Sequence, residues 1–133
     1  MLDTNACIAV MTGREPAVRE QLALTKPEQI SVSAVVVAEL RYGISYLAPE
    51  RQSSNSEALR AFLQEVEVLD WPSQAADLYG EVRAELRRRG KPIGANDLLI
   101  GCHALQLQRV LVTHNVREFD RIPGLKLEDW AQI

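Results

Sequence analysis

The chain has 133 residues, 47% of them hydrophobic and 25% charged, and its 15 basic and 18 acidic side chains leave a formal charge of −3. That is the composition of one soluble globular domain, large enough to bury roughly 65–70% of its unfolded surface and so to fold without a disulfide or structural metal. The acidic surplus excludes nucleic-acid binding driven by charge alone, the seven aromatics (two Trp, three Tyr, two Phe) are too few for a platform that stacks successive bases, and apolar runs such as Ala34 to Ala38 fall far short of the roughly 20 residues that cross a bilayer.

Met1-Leu2 reads as a stub strand before Asp3, and Asn5 to Thr12 as an apolar helical segment ended by Gly13. A second helix starts at Pro16, whose missing N–H is harmless in a first turn, shows Val18, Leu22 and Ala23 on one face, and is over by Pro27. Ile30-Ser31-Val32 is a brief β-type run, and Ser33 is placed to cap a helix over Ala34 to Leu47 that carries Glu39, Arg41 and Tyr42. The polar run Arg51 to Asn55 reads as a loop. Leu59, Phe62, Leu63 and Val66 then recur at helical spacing, predicting a helix over Ser56 to Glu65 and a strand over Val66 to Leu69, closed by Pro72.

Ser73 is the expected cap of the next helix, whose Leu78, Val82 and Leu86 form a stripe and which ends in Arg87, Arg88, Arg89 and Gly90. Asn96 is the expected cap of Asp97 to Leu107, apolar on nearly every side as a central helix is. Val110 to Val112 reads as a buried parallel strand, Asn115 as the cap of the turn Val116 to Asp120, and Lys126 to Trp130 as an edge strand. Strands separated by helices make an α/β domain with parallel pairing. Cys7 and Cys102 lie in apolar stretches without a CxxC partner, and no signal-like segment precedes them, which predicts a reduced, cytoplasmic protein.

In an open parallel sheet, ligands bind at the carboxyl ends of the strands. Asp3 and Thr113-His114-Asn115 fall there, while Glu39 and Asp97 are acids set among residues that want burial. Each has an ordinary reading: Asp3 as a helix cap, Asp97 as a favourable charge at a helix start, Glu39 as a solvated neighbour of Arg41. Convergence of all three on one cleft is costly, because two carboxylates about 5 Å apart repel by roughly 3 kcal/mol at an effective dielectric near 20. A hard divalent cation bound through oxygen, Mg²⁺ or Mn²⁺, answers that cost. Zinc does not fit, since His103 and His114 have no cysteine at ligand spacing.

Four motifs in order, Leu2-Asp3-Thr4-Asn5, Ala38-Glu39-Leu40 with Tyr42-Gly43, Pro92-Ile93-Gly94-Ala95-Asn96-Asp97, and Thr113-His114-Asn115-Val116-Arg117-Glu118-Phe119, resemble those of PIN-domain ribonucleases, and within them the VapC toxins of bacterial toxin–antitoxin pairs. The resemblance implies one PIN-like domain over residues 1–133 with a central, mostly parallel sheet of four to five strands flanked by helices. It implies a Mg²⁺-dependent endoribonuclease toxin acting on structured RNA, transfer RNA being the first candidate, and a homodimer that pairs with a VapB-like antitoxin. By the same resemblance Asp3, Glu39 and Asp97 would hold the metal and the attacking water. Many members have Asp where Asn115 stands, so the fourth acid is carried over to Glu118, which matches the pattern T-x-N-x-R-E-F. The first strand is shorter than the family's usual one, and a start upstream of Met1 is the matching expectation.

Substrate contacts are expected from Arg41, Thr113 and Asn115, and from the basic cluster Arg83, Arg87, Arg88, Arg89 and Lys91, whose ordinary reading is a solvated helix end. Two other classes compete: a catalytically silent PIN-like interaction module, and an aspartyl phospho-acceptor or phosphatase. The last is disfavoured because those domains want further acids near Asp3, where Thr4 and Asn5 stand.

Overall fold

Leu2 is the keystone of the sheet. In the computed structural model, which describes residues 1–132, it bridges Val32 on one side and Val112 on the other, both in parallel. Beyond Val32, β1 (Ser31–Ser33) pairs with β2 (Glu67–Leu69), Val32 opposite Val68; beyond Val112, β3 (Leu111–Val112) pairs with β4 (Leu127–Glu128). The resulting order β2, β1, Leu2, β3, β4 is parallel throughout, as expected, and the Leu2 N–H to Ser31 carbonyl and Asp3 N–H to Val112 carbonyl bonds (2.9 and 3.0 Å) tie its halves together. Val32, Leu111 and Leu2 are fully buried because helices cover both faces.

The helices start where the sequence supplies a reason. Asp3 accepts the Ala6 N–H at 2.8 Å and caps α1 (Thr4–Thr12); Ser33 accepts the Val35 N–H at 3.1 Å and caps α3 (Ala34–Ser45). Gly13 closes α1 with φ +67°, a conformation that suits glycine, and the Arg19 guanidinium from α2 (Pro16–Leu24) seals the end by donating to the Val10 carbonyl at 2.7 Å. The remaining helices are α4 (Pro49–Leu63), α5 (Ala75–Arg88), α6 (Ala95–Gln106) and the short α7 (Val116–Phe119). On α6, Gly101 is pressed so closely against Ile122 that a Cβ there would collide with it.

Three local expectations are corrected. Arg51 to Asn55 is not a loop but the second turn of α4, which begins at Pro49 and is held by the Gln52 side chain donating to the Leu47 carbonyl at 2.9 Å. A solvated helical turn and a loop share one polar composition, so the apolar stripe of Leu59 and Phe62 marked only the second half. Ser73 does not cap α5: Gln74 stands at the cap position without a side-chain bond. Asn96 does not cap α6 either, for Gly94 is its N-cap and the Asn96 side chain turns to Glu39. Among the described residues no helix is long and apolar enough to cross a membrane.

Candidate active site

The strand ends and helix starts that face one way carry the acids. Asp3 leaves the Leu2 bridge, Thr113 follows β3, Asp97 is in the first turn of α6, and Glu39 lies midway along α3, which starts directly from β1. Asp3 is 4% exposed and Thr113 1%, whereas Glu39, Asp97, Asn115 and Glu118 are half-buried. Four segments remote in sequence thus meet in one cleft.

Hydrogen bonds lock most of this cluster. One oxygen of Glu39 accepts the Thr4 hydroxyl and the other the Asn96 amide at 3.4 Å, so α1, α3 and α6 are tied through one carboxylate. Glu118 accepts the Gly94 N–H at 3.2 Å and the Asn115 amide at 2.8 Å, and Thr113 accepts the Asn115 N–H at 2.9 Å. Glu118 therefore ties α7 to the turn before α6. Asn96 is expected from the sequence as a helix cap and Thr4 is given no role of its own; the position of each beside an acid in the motifs is the available signal for their part in the site.

The electrostatics are those of charge left uncompensated. Burial, followed by the neighbouring Glu118, Glu39 and Asp3, pushes the Asp97 carboxyl up to about 6, against the helix-start dipole that would pull it down. Burial also raises Asp3 above the ordinary carboxylate value, with Glu39 and Asp129 adding to it, while the Thr113 side chain and the Ala6 N–H hold it back. No cation side chain forms an ion pair with any of the four acids among the described residues.

The donor set is oxygen-only. His103 is bonded to Ser33 and His114 to Asp129, and burial pushes both cysteine thiols up, Cys102 to about 11. No three His, Cys, Asp or Glu side chains form a ready-made metal cage among the described residues. Few direct oxygen ligands and an excess of negative charge fit a hard cation that keeps much of its water shell.

The expected substrate contacts divide. Thr113 and Asn115 are built into the cluster, but the Arg41 guanidinium turns to α4 and donates to Ser56 at 3.0 Å. In the basic helix end, Arg88 and Arg89 pair with Glu85 at 3.3 and 2.9 Å, and Arg83 lies over the Tyr79 ring. Lys91 shares a cavity of about 500 Å³ with Arg117 and Arg121, two cations the sequence did not single out. The Arg121 guanidinium donates to the Pro92 carbonyl at 3.0 Å, which fixes this basic wall beside the Gly94 turn that Glu118 touches.

A parallel sheet with buried acids gathered at its carboxyl end defines an acid-site α/β nuclease class, and the PIN domain family matches residues 1–125. The tRNA(fMet)-specific endonuclease VapC of Salmonella typhimurium is 43% identical over 98% of this chain and 97% of its own length, and ribonuclease VapC2 of Rickettsia felis 40% over 98% and 96%. Among solved structures, VapBC of Salmonella typhimurium bound to DNA superposes with a TM-score of 0.89 at 39% identity, covering 98% of this chain and 96% of that one. The chain belongs to the PIN-domain family, in its branch of VapC ribonucleases. PIN-domain ribonucleases are in general metal-dependent, which agrees with the oxygen-only acid cluster.

Proposed function

We propose that this chain is the endoribonuclease toxin of a toxin–antitoxin pair, hydrolysing a phosphodiester of structured RNA in the cytoplasm with Mg²⁺, or Mn²⁺ in its place. The observation that carries this is the meeting of Asp3, Glu39, Asp97 and Glu118 in one cleft without a cation side chain, with Asp97 raised to about 6 by burial and by the other three acids. Asp3, Glu39 and Asp97 would hold the cation. A bound divalent ion supplies positive charge to the transition state and activates water at neutral pH.

The chain's own residues do the rest. Thr4 and Asn96 fix the two oxygens of Glu39, so that carboxylate meets its ligand without rotamer cost. Asn115 and the Gly94 N–H fix Glu118, which positions or accepts a proton from the attacking water. Thr113 holds Asp3 toward its ionised form. Lys91, Arg117 and Arg121, with Asp120 the one acid lining the same cavity, offer phosphates a net positive wall within an acidic chain.

Transfer RNA, the initiator first, is the substrate to test, because a relative 43% identical is named tRNA(fMet)-specific. The partner is a VapB-like antitoxin, on the strength of the VapBC structures the chain resembles, and the toxin itself is a homodimer. Purified protein freed of antitoxin should cut RNA with Mg²⁺ or Mn²⁺ and stop in EDTA, and cleavage ends mapped in total RNA after brief induction should fall in one defined RNA. Cleavage undiminished in Asp3→Asn and Asp97→Asn would remove the proposed site.

A further inference from the structure

A second concavity of about 550 Å³ shares a wall with the acid cluster. Its floor is apolar, made by Ile8 and Ala9 of α1, Val18 of α2 and Trp130 beyond β4. Its wall toward the cleft is Asn5, two residues after Asp3, together with Thr113 and Asn115, which already bear on Asp3 and Glu118. Over its mouth stands His114, whose side chain is 70% exposed yet not free to turn. Its Nδ1 lies 2.9 Å from Asp129 Oδ2, while the other oxygen of Asp129 accepts the Ala131 N–H at 3.0 Å. A carboxylate only accepts, so Nδ1 carries the proton, and most of the ring is open to solvent.

An apolar floor with a few fixed polar groups is the profile of a small-ligand site, and this volume falls in the range such sites occupy. We propose that this groove is a nucleotide subsite, which takes one unstacked base of the RNA next to the bond being cut, with His114 held by Asp129 as the ring that base packs on. RNA is read mainly through bases splayed out of single-stranded loops and ends, stacked on rings or guanidinium planes. The chain is too poor in aromatics for a stacking platform, but one base needs one ring. Continuity decides the occupant: a base lying on Ile8 and Ala9 has its sugar-phosphate at Asn5 and Thr113, beside Asp3. Arg14 also lines the groove, beside Glu15, and offers the next phosphate a positive charge. The subsite rests on the ribonuclease reading, and its test includes a binding measurement that needs no cleavage.

In an Asp97→Asn background, which cuts nothing on that reading, a pool of single-stranded RNA hexamers should shift the His114 imidazole resonances saturably. His114→Ala should weaken hexamer binding about tenfold, within the range for a stacked base, and Asp129→Ala, which removes the acceptor that holds the ring, by less. Ala9→Phe, which fills the groove, should weaken binding as His114→Ala does. In the active parent, His114→Ala should relax base preference at one position beside the cut, with the loss falling on KM rather than kcat. Unmoved His114 resonances, or unchanged base preference and KM in both His114→Ala and Ala9→Phe, would overturn the subsite. So would variants that bind RNA normally but no longer bind the VapB-like antitoxin, which would make the groove a peptide site. A parent that cuts no RNA but binds hexamers at His114 refutes the ribonuclease reading and leaves the subsite standing.

Discussion

Two groups of polar side chains lie about the parallel sheet, one along β1 and one at the sheet's carboxyl end, and they are built on different plans. At the start and under the end of β1, Ser31 takes the Arg109 guanidinium at 3.0 Å and Ser33 bonds His103 at 2.9 Å while capping α3. These are pairs of unlike groups, and burial, followed by the nearby Arg109, lowers the pKa of His103, so it stays neutral. At the carboxyl end of the sheet Asp3, Glu39, Asp97 and Glu118 are near enough to bear on one another's charge, and burial leaves Asp3 and Asp97 raised. In the first group the polar side chains are paired with one another, His103 Nε2 alone lacking a partner; in the second, Glu39 and Glu118 accept hydrogen bonds, but no cation side chain among the described residues offsets the charge of the four acids. The surface repeats the contrast, with Arg88 and Arg89 spent on Glu85 while Lys91 and Arg117 have no carboxylate partner among the described residues.

The contrast breaks most sharply at Asp3 and Asp97. Asparagine at either keeps the shape and removes the charge, and cleavage by a metal-dependent site should fall about 10³-fold or more, the several kcal/mol such charge stabilisation supplies. Single-turnover cleavage of the mapped RNA measures it, with circular dichroism to show the fold intact. A loss under tenfold would place these acids with the structural set.

On the satisfied side, His103→Ala should leave cleavage per folded molecule unchanged and cost stability instead. His103 is fully buried, so the cavity should cost roughly 3 kcal/mol, or a Tm drop on the order of 10 °C. His103→Leu refills most of the space and removes Nε2, which has no partner in the fold, so it should cost much less. Calorimetry of the two variants separates packing from hydrogen bonding.

The unpaired cations come next. Lys91→Ala and Arg117→Ala should each raise KM by up to about tenfold and flatten the salt dependence of RNA binding by close to one counterion apiece, whereas Arg88→Ala should do neither. A salt titration of binding reads all three, and equal slopes would return the basic wall to the status of solvated surface.

Much of this was legible in the sequence. The order of strands and helices came from periodicity, because burial patterns act within a few residues, and Asp3, Glu39 and Asp97 from their places at strand ends and among apolar neighbours; Glu118 came only with the family resemblance. What did not come through was joined across the chain. Lys91 meets Arg117 and Arg121 only because Arg121 is bonded to the Pro92 carbonyl, and Asn96 turns from a cap into a ligand of Glu39 only because α3 passes beside it. Arg41, adjacent in sequence to Leu40 and two residues from Glu39, turns the other way, to Ser56. Side chains two apart on a helix face different neighbours.

The smallest predicted effect tests the contrast in thermodynamic terms. Asp97 has its pKa raised from 3.8 to about 6 on folding, so between those values the folded state binds more protons than the unfolded one, and this group adds stability as pH falls through 6 toward 4. His103 acts in the opposite sense: its pKa is lowered from 6.5, so the unfolded state takes the proton first and stability is lost as pH falls below 6.5. The parent's melting curve therefore sums opposed slopes, the raised Asp3 acting with Asp97 and the N-terminal amine, lowered to about 6, acting with His103, and the difference between the parent and Asp97→Asn singles out Asp97. That difference should favour the variant by on the order of 1 kcal/mol at pH 7 after solvent screening, a few degrees in Tm, and vanish near pH 4. Adding Mg²⁺ at pH 7 should stabilise the parent and close the gap, since binding needs the carboxylate ionised. Were Asp97→Asn less stable than the parent at pH 7 without metal, Asp97 would be a satisfied group like Ser33, and the cleft would not be waiting for a cation.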